Sequence, residues 1–344
     1  MLAAAGGTLQ MLGPPREVPG PQAAATPAPQ PVAPVPAPVA PAPAVQSPPA
    51  QAAVPVRSAE AASASRPGRA TPGPIADPDP ALREAVDGST TDFLPRISED
   101  GRPPMQVYAA GFDRSSRRAR VGLLVAGLGL NQADSEAAIR SLPGGVTLAF
   151  SPYAQNTTKL LAAARAGEHE FLLSIPMEPQ GFPLNDPGPH ALMTTLSREE
   201  NRPRLDWALS RIAGYAGVTG ALGNVRGERF ASVPDQMQPV LAELAHRGLL
   251  YVDPRPGAAP LPLVWDRSID LIVDEPDGAA DIDAKLTQLS KLAREKGSAL
   301  GLVMAPRPIA IQRIASWANG LMADGLILAP VSALVQEPAK QAAQ

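Results

Sequence analysis

From Ala119 onward the sequence alternates between short apolar runs and segments with helical periodicity. Runs rich in Val, Leu and Ile predict buried strands, and their alternation with helices is typical of βα units in a parallel sheet. Seven or eight such units in roughly 215 residues predict an α/β fold, a closed or nearly closed barrel of about seven parallel strands. A doubly wound open sheet is the alternative. The predicted strands are 121–127, 146–150, 170–175, 217–222, 249–253, 269–273, 299–304 and 326–330.

The N-terminal part of the chain has a different composition. Of the 42 prolines, 11 fall within residues 21–50, and no charged residue occurs between Val18 and Val56. A segment of this kind cannot bury enough apolar surface to offset its conformational entropy. We therefore predict four parts. They are a disordered Pro/Ala-rich linker or stalk over 1–90, a strap segment over 91–118, the barrel over 119–335 and a disordered tail over 336–344.

The first residues, MLAAAGGTLQMLG, are apolar but carry no basic flank. A membrane span needs about 20 apolar residues, and a signal peptide needs a charged start and a cleavage site. An N-terminal membrane anchor is therefore not evident in this chain. The net charge is −3, and no basic run exceeds RSSRRAR at 114–120, so the sequence does not favour nucleic-acid binding.

Several common sites lack their motifs. Gly127-Leu128-Gly129 has no third glycine at the spacing of a dinucleotide-binding turn. The three histidines, His169, His190 and His246, do not fall within ligand spacing of one another, and the chain has no cysteine. No G-x-S-x-G elbow occurs for a serine nucleophile. We therefore expect no metal and no cofactor.

Polar residues do follow several predicted strands, where the carboxyl ends of barrel strands converge. Glu178 is notable because Pro176 and Pro179 flank it and stiffen its backbone. Carboxylates beside guanidiniums suit a polar ligand such as a sugar, and they also suit ion pairs within loops. The residues are Ser151, Tyr153, Glu178, Arg226, Glu228, Arg229, Asp253, Arg255, Asp274, Glu275 and Arg307.

Five stretches together resemble the divergent polysaccharide deacetylase family, from about Arg118 to Val335. They are VTLAFSPYA, AGEHEFLLSIPMEP, NDPGPHALMTTLS, GYAGVTGALG and VLAELAHRGLLYVDPR. The resemblance implies the irregular barrel of the glycoside hydrolase/deacetylase superfamily. It also implies a metal site in active members, with paired aspartates ending the first strand, two histidine ligands and a late histidine acid. Such a site generates hydroxide to attack an acetamide carbonyl.

This sequence departs from that pattern where the metal would bind. Ala126 and Gly127 stand where the family commonly has Asp-Asp, and Ala305 stands where it has the late histidine. Ser174 and the segment 220–223 likewise lack the expected histidines. Glu178, Asp253 and Arg255 match the family. Without these ligands there is no charge to hold a divalent cation, so the resemblance implies a deacetylase-like protein without a working metal site.

Three functions remain open. The first is a non-catalytic barrel on a long stalk that binds an envelope polysaccharide, peptidoglycan or an envelope protein, with Tyr153, Arg229, Arg255 and Arg307 as ligand contacts. The second is a metal-independent carbohydrate hydrolase or deacetylase with Glu178 and Asp253 as its acid–base pair. The third is a structural interaction protein without a small ligand. The expected location is the periplasm or cell envelope.

Overall fold

The computed structural model describes residues 66–86 and 88–338. A two-stranded antiparallel sheet is followed by a curled sheet of nine parallel strands. The small sheet consists of β1 (Arg83–Ala85) and β2 (Phe93–Pro95). The large sheet consists of β3 (Ala119–Leu128), β4 (Thr147–Phe150), β5 (Phe171–Ser174), β6 (Gly217–Thr219), β7 (Leu250–Asp253), β8 (Asp266–Ser268), β9 (Leu271–Ile272), β10 (Ser298–Val303) and β11 (Leu326–Leu328).

The order of the large sheet is β8-β7-β6-β5-β4-β3-β10-β9, with β11 also paired to β3. Neighbours from β3 to β8 follow chain order without the reversal of a doubly wound sheet. Only Ile269 and Asp270 separate β8 from β9 in the chain. One segment therefore pairs first with β7 and then with β10. With β8 and β9 counted as one segment, the predicted barrel of about seven parallel strands is confirmed.

Helices connect most of the strands, as the segments of helical periodicity between the apolar runs predict. They pack outside the sheet, as βα units require. The helices are α1 (Pro104–Val107), α2 (Gln132–Ser141), α3 (Thr157–Ala166), α4 (Arg198–Ser210), α5 (Glu228–Ala231), α6 (Pro234–His246), α7 (Ala279–Lys296) and α8 (Pro308–Gly320).

The apolar core has two layers because alternate strand residues face opposite sides of the sheet. Leu123 and Val125 pack with helix residues in the outer layer. Leu124 and Ala126 belong to the inner layer, inside the curled sheet, which also holds Met105 of the strap. The strand run VGLLVAG is therefore buried on both faces, as a parallel strand between two layers should be.

Part of the predicted linker packs against the core. Ile75 and Leu82, within that segment, are 4% and 1% exposed. The boundary predicted at residue 90 therefore moves toward the N-terminus, because these isolated apolar residues find core contacts that composition alone does not reveal. Residues 1–65 of the predicted stalk and 339–344 of the predicted tail lie outside the described residues. Gln336, within the predicted tail, exchanges backbone hydrogen bonds with Asp266.

Candidate functional site

The carboxyl end of β3 lies at the mouth of the barrel. Ala126 is fully buried, and Gly127 adopts φ +77°, which L side chains rarely occupy. A Cβ added at Gly127 would lie 3.1 Å from the Met304 carbonyl oxygen and 3.5 Å from the Gly223 Cα. The strand end therefore carries no polar side chain, and its backbone packs closely against the neighbouring strand ends.

The donor set at this mouth does not fit the metal that the family resemblance implies. Within residues 66–86 and 88–338, no three His, Cys, Asp or Glu side chains form a group that could hold a metal ion. His169 is fully buried, and its ring nitrogens face the carbonyl oxygens of Val146 and Ile139 at 2.9 and 3.2 Å. It therefore has a packing role between elements, as expected for a histidine just before a strand.

Glu178 is a buried carboxylate whose acceptors are already in use. Its Oε2 accepts hydrogen bonds from the Thr194 backbone N–H at 2.7 Å and the Thr194 hydroxyl at 2.6 Å. Its Oε1 lies 3.1 Å from Nε of Arg229, whose side chain is 49% exposed. The residue thus fastens the loop after β5 to α5, and Arg229 reaches it from the solvent side.

Asp253 ends β7 and forms a fork with Arg255. The Arg255 Nε and Nη2 donate to the two carboxylate oxygens at 2.9 and 2.6 Å, and the Arg255 backbone N–H donates to Oδ1 at 3.0 Å. The hydrogen bond to Asp253 raises the pKa of the Arg255 guanidinium. The remaining nitrogen, Nη1, donates to the Ser232 hydroxyl at 3.2 Å.

The short helix α5 connects these two predicted catalytic residues. Arg229 within it pairs with Glu178, and Ser232 at its end contacts the Arg255 that pairs with Asp253. Both carboxylates therefore serve one network of ion pairs around α5. The pair of Arg255 and Asp253 is bidentate, which adds geometric specificity to its charge-assisted hydrogen bonds.

The other predicted charged residues are also engaged in ion pairs or backbone hydrogen bonds. Arg226 bridges Glu228 at 2.8 Å and Glu275 at 2.9 Å. Arg307 pairs with Asp277, a partner that the sequence analysis did not select. Asp274 is 2% exposed and accepts from the Met304 N–H at 2.8 Å. Burial raises the pKa of its carboxyl group.

A cleft of about 340 Å³ opens beside the end of β3. Four loops form it, and its walls are mostly apolar, with Asp186 and Asn224 as polar groups. Its volume falls within the usual range for small-ligand sites. Leu130, at its edge, is 54% exposed. The lining residues are Leu130, Tyr153, Asp186, Pro187, Gly188, Pro189, Leu222, Gly223, Asn224 and Val225. We call it the mouth cleft.

Aromatic rings support one wall of the mouth cleft. Tyr153 lies 5.2 Å from the Trp207 ring, and His190 stacks on Trp207 at 3.8 Å. The Tyr153 hydroxyl accepts a hydrogen bond from the backbone N–H of His190 at 3.2 Å. Burial raises the pKa of that hydroxyl. The wall is thus held by ring contacts and a hydrogen bond, and the Gly188 backbone packs against the Tyr153 ring.

Of the predicted ligand-binding residues, only Tyr153 lines the mouth cleft. Arg229, Arg255 and Arg307 each pair with a carboxylate. Sequence reasoning did not select Leu130, Asp186 and Asn224. The exposure of Leu130 could have been predicted from the sequence. An apolar residue directly after a glycine turn at a strand end has no core position to fill.

The described residues thus form a curled parallel β/α sheet with a cleft at the carboxyl ends of its strands, the architecture of a β/α barrel. The family model described as divergent polysaccharide deacetylase matches residues 123–335. The chain therefore belongs to the divergent polysaccharide deacetylase family, as the sequence resemblance predicted. Comparison with curated proteins gave no match.

Two solved structures are similar to the described chain. One is an uncharacterised protein, ATU2773, from Agrobacterium tumefaciens C58, with 32% sequence identity and a TM-score of 0.65. The similarity covers 71% of this chain and 100% of that one. The other is a family 4 carbohydrate esterase from Streptomyces lividans, with 16% identity, a TM-score of 0.40, and coverage of 65% of this chain and 100% of that one.

Proposed function

We propose that this protein is a non-catalytic member of its family that binds a glycan of the cell envelope in the mouth cleft. The observation that carries the proposal is the end of β3, where Ala126 and Gly127 stand at the positions for which the family resemblance implies paired aspartates. Gly127 packs against the Met304 carbonyl in a backbone conformation that disfavours a side chain. The periplasm or cell envelope is the setting we propose for this binding.

The mouth cleft has features that suit a sugar. Apolar walls formed by Leu130, Tyr153 and Leu222 could pack against the C–H face of a sugar ring, while Asp186 and Asn224 offer hydrogen bonds to hydroxyl or acetamide groups. Asn224 is exposed and Asp186 lies on an exposed loop. An envelope polysaccharide or a peptidoglycan fragment presents this combination of apolar ring faces and polar substituents.

The metal-independent hydrolase has less support from the contacts. A general acid or base must reach the proton it transfers. Glu178 already accepts from Thr194 and pairs with Arg229, and Asp253 is fully buried against Arg255. An assay for acetate and reducing-end release from N-acetylglucosamine oligomers distinguishes the two functions, because a binding protein releases neither product.

Calorimetric titration of the full chain with N-acetylglucosamine oligomers and soluble peptidoglycan fragments tests the binding. We expect saturable heat with at least one of these ligands. Replacing Leu130 with Asn should weaken the binding about tenfold, because the variant loses apolar contact worth about 1–2 kcal/mol. Met322→Asn is the matched control, since Met322 is 59% exposed and does not line the mouth cleft.

No heat at millimolar concentrations of either ligand would contradict the glycan proposal. It would favour an envelope protein as the partner, or a structural role without a small ligand. Equal weakening in the Leu130 and Met322 variants would place the binding outside the mouth cleft.

A further inference from the structure

Five arginines cluster where β3 begins, at the opposite end of that strand from the mouth cleft. Four of them come from the run 114–120, and the fifth is Arg66. The overall net charge of the chain is −3, so this local excess of positive charge differs from the rest of the molecule. The five residues are Arg66, Arg114, Arg117, Arg118 and Arg120.

None of these five guanidiniums forms an ion pair with a carboxylate in the part of the chain that the structure describes. Arg120 donates to the Arg114 carbonyl oxygen at 3.3 Å and lies over the Phe112 ring. Arg114 donates to the carbonyl oxygens of Pro67 and Ser332. Their charges are therefore hydrogen-bonded or solvated but not neutralised.

Nearby acidic groups are engaged elsewhere. The Asp113 carboxylate accepts from the Ser115 N–H at 2.9 Å and the Ser115 hydroxyl at 2.6 Å. Glu170 is fully buried and accepts from backbone N–H groups. Burial first, and then the charges of Arg66 and Arg120, lower the pKa of Arg114. The cluster thus contains like charges held close together.

Four of the arginines enclose a cavity of about 360 Å³. Its lining contains no Asp or Glu, and it includes the start of β10 and the chain after β11. Arg117 and Arg118 are exposed at its edge. The residues that line it are Arg66, Ser116, Arg117, Arg118, Arg120, Gly297, Ser298, Ala333, Leu334, Val335 and Gln336. We call it the arginine pocket.

We propose that the arginine pocket binds phosphate groups. Planar guanidiniums recognise phosphate oxygens through paired N–H donors, and several of them around one cavity can share a doubly charged group. An anionic lipid headgroup and a free phosphate ion share this chemistry. The pocket lies away from the mouth cleft and does not depend on the function proposed for it.

An exposed position at the start of β3 favours the lipid source. An anionic membrane surface attracts each nearby Lys or Arg by about 1 kcal/mol. Contact through the arginine pocket would leave the mouth cleft at the far end of β3 free for a glycan. Arg66 lies at the same surface as the other arginines of the pocket.

The test measures co-sedimentation of the full chain with phosphatidylcholine vesicles that contain or lack phosphatidylglycerol. A second arm measures calorimetric binding of inorganic phosphate and pyrophosphate. The variant Arg117→Glu/Arg118→Glu reverses two exposed charges of the pocket. The matched control, Lys159→Glu/Arg198→Glu, makes the same change in charge at two exposed positions in first helical turns, where glutamate is favourable.

We expect binding to the anionic vesicles that weakens with salt and falls at least about tenfold in the pocket variant, with the control variant unchanged. Binding to vesicles but not to free phosphate would identify the lipid surface as the source, and binding to both would identify a site for a single phosphate group. No binding in either arm would overturn the proposal. Equal losses in both variants, or tighter binding of a DNA duplex than of vesicles, would also overturn it.

Discussion

The proposed absence of a metal site rests on Gly127 at the end of β3. Its φ of +77° and the nearby Met304 carbonyl leave little freedom for any side chain. The backbone at this position is therefore suited to glycine, where the family resemblance implies an aspartate. We expect that one carboxylate restored at this position would not create a metal site, because no three His, Cys, Asp or Glu side chains among the described residues form a group that could hold a metal ion.

Replacing Gly127 with Ala should lower the free energy of unfolding by about 1–2 kcal/mol, since an L residue in this region of φ is strained. Gly127→Asp should lose at least as much, because the carboxylate must also be accommodated beside Met304. Urea denaturation measures both variants. Gly320 is an exposed control position where an added Cβ meets no atom within 4 Å. Unchanged stability in Gly127→Asp would contradict the packing described here.

The buried carboxyl group of Asp266 should make the stability of the protein depend on pH. It is 2% exposed, and its Oδ1 has no hydrogen-bond partner. Burial raises the pKa of its carboxyl group to about 7. The folded state therefore holds a proton that the unfolded state releases at lower pH, so stability should fall as pH rises from about 4 to 7.

Asp266→Asn removes this titration and should flatten the dependence of unfolding free energy on pH between 5 and 8. The variant should gain stability relative to the original chain as the pH rises. Parallel urea titrations at several pH values provide the measurement. Asp283→Asn serves as a control, because Asp283 lies on the exposed face of α7 and pairs with Arg313. An unchanged slope in the Asp266 variant would show that its carboxyl group titrates normally.

Among the contacts between structural elements, those of the Glu170 side chain join three parts of the chain: the strap, β4 and the segment after β11. Its Oε2 accepts from the Ala110 N–H of the strap at 3.1 Å, and its Oε1 accepts from the Ser332 N–H at 3.0 Å. The Thr147 hydroxyl of β4 lies 3.4 Å from Oε1. Burial raises the pKa of this fully buried carboxyl group. One side chain thus fastens both flanking segments to the start of the barrel strands.

Glu170→Ala should lower the free energy of unfolding by at least about 2 kcal/mol, because it leaves buried N–H donors without partners. Hydrogen exchange should accelerate at Ala110 and Ser332 while the amides of β3 stay protected. Glu136→Ala, at an exposed ion pair on α2, should change stability by less than about 0.5 kcal/mol. If Ala110 and Ser332 exchanged at their original rates, the fastening role of Glu170 would be refuted.

The sequence predicted most barrel strands because their apolar runs are buried on both faces. It did not predict β8, since Asp266, Arg267 and Ser268 form no apolar run and pair at the point where the sheet curls closed. The predicted strand 269–273 is paired only over Leu271–Ile272. Tertiary contacts determine which residues pair in β8 and β9, and the local sequence pattern does not contain this information.

For the site, the sequence predicted that charged residues lie at strand ends, but it did not predict which of them form ion pairs with each other. Glu178, Asp253 and Arg307 were selected as candidates for chemistry or ligand contact, and each is engaged in an ion pair. Pairing depends on how loops fold across the mouth, which spacing along the chain does not determine. The position of Leu130 indicates a binding role only when the cleft that it borders is known.

At the scale of the whole molecule, the two ends of the barrel differ in chemistry. The mouth cleft is mostly apolar and borders a strand end without catalytic groups, while the start of β3 carries arginines without ion-pair partners among the described residues. Among those residues, no helix is long and apolar enough to cross a membrane. We propose that one end contacts phosphate groups and the other contacts a glycan.

Zinc titration of the purified full chain tests whether this protein binds a catalytic metal. The family resemblance implies a divalent cation that generates hydroxide, so the metal would have to bind before any such chemistry could occur. We predict no saturable zinc binding by calorimetry, and the same result for Gly127→Asp. Formation of an equimolar zinc complex by the original chain would contradict the proposal that this protein lacks the metal site.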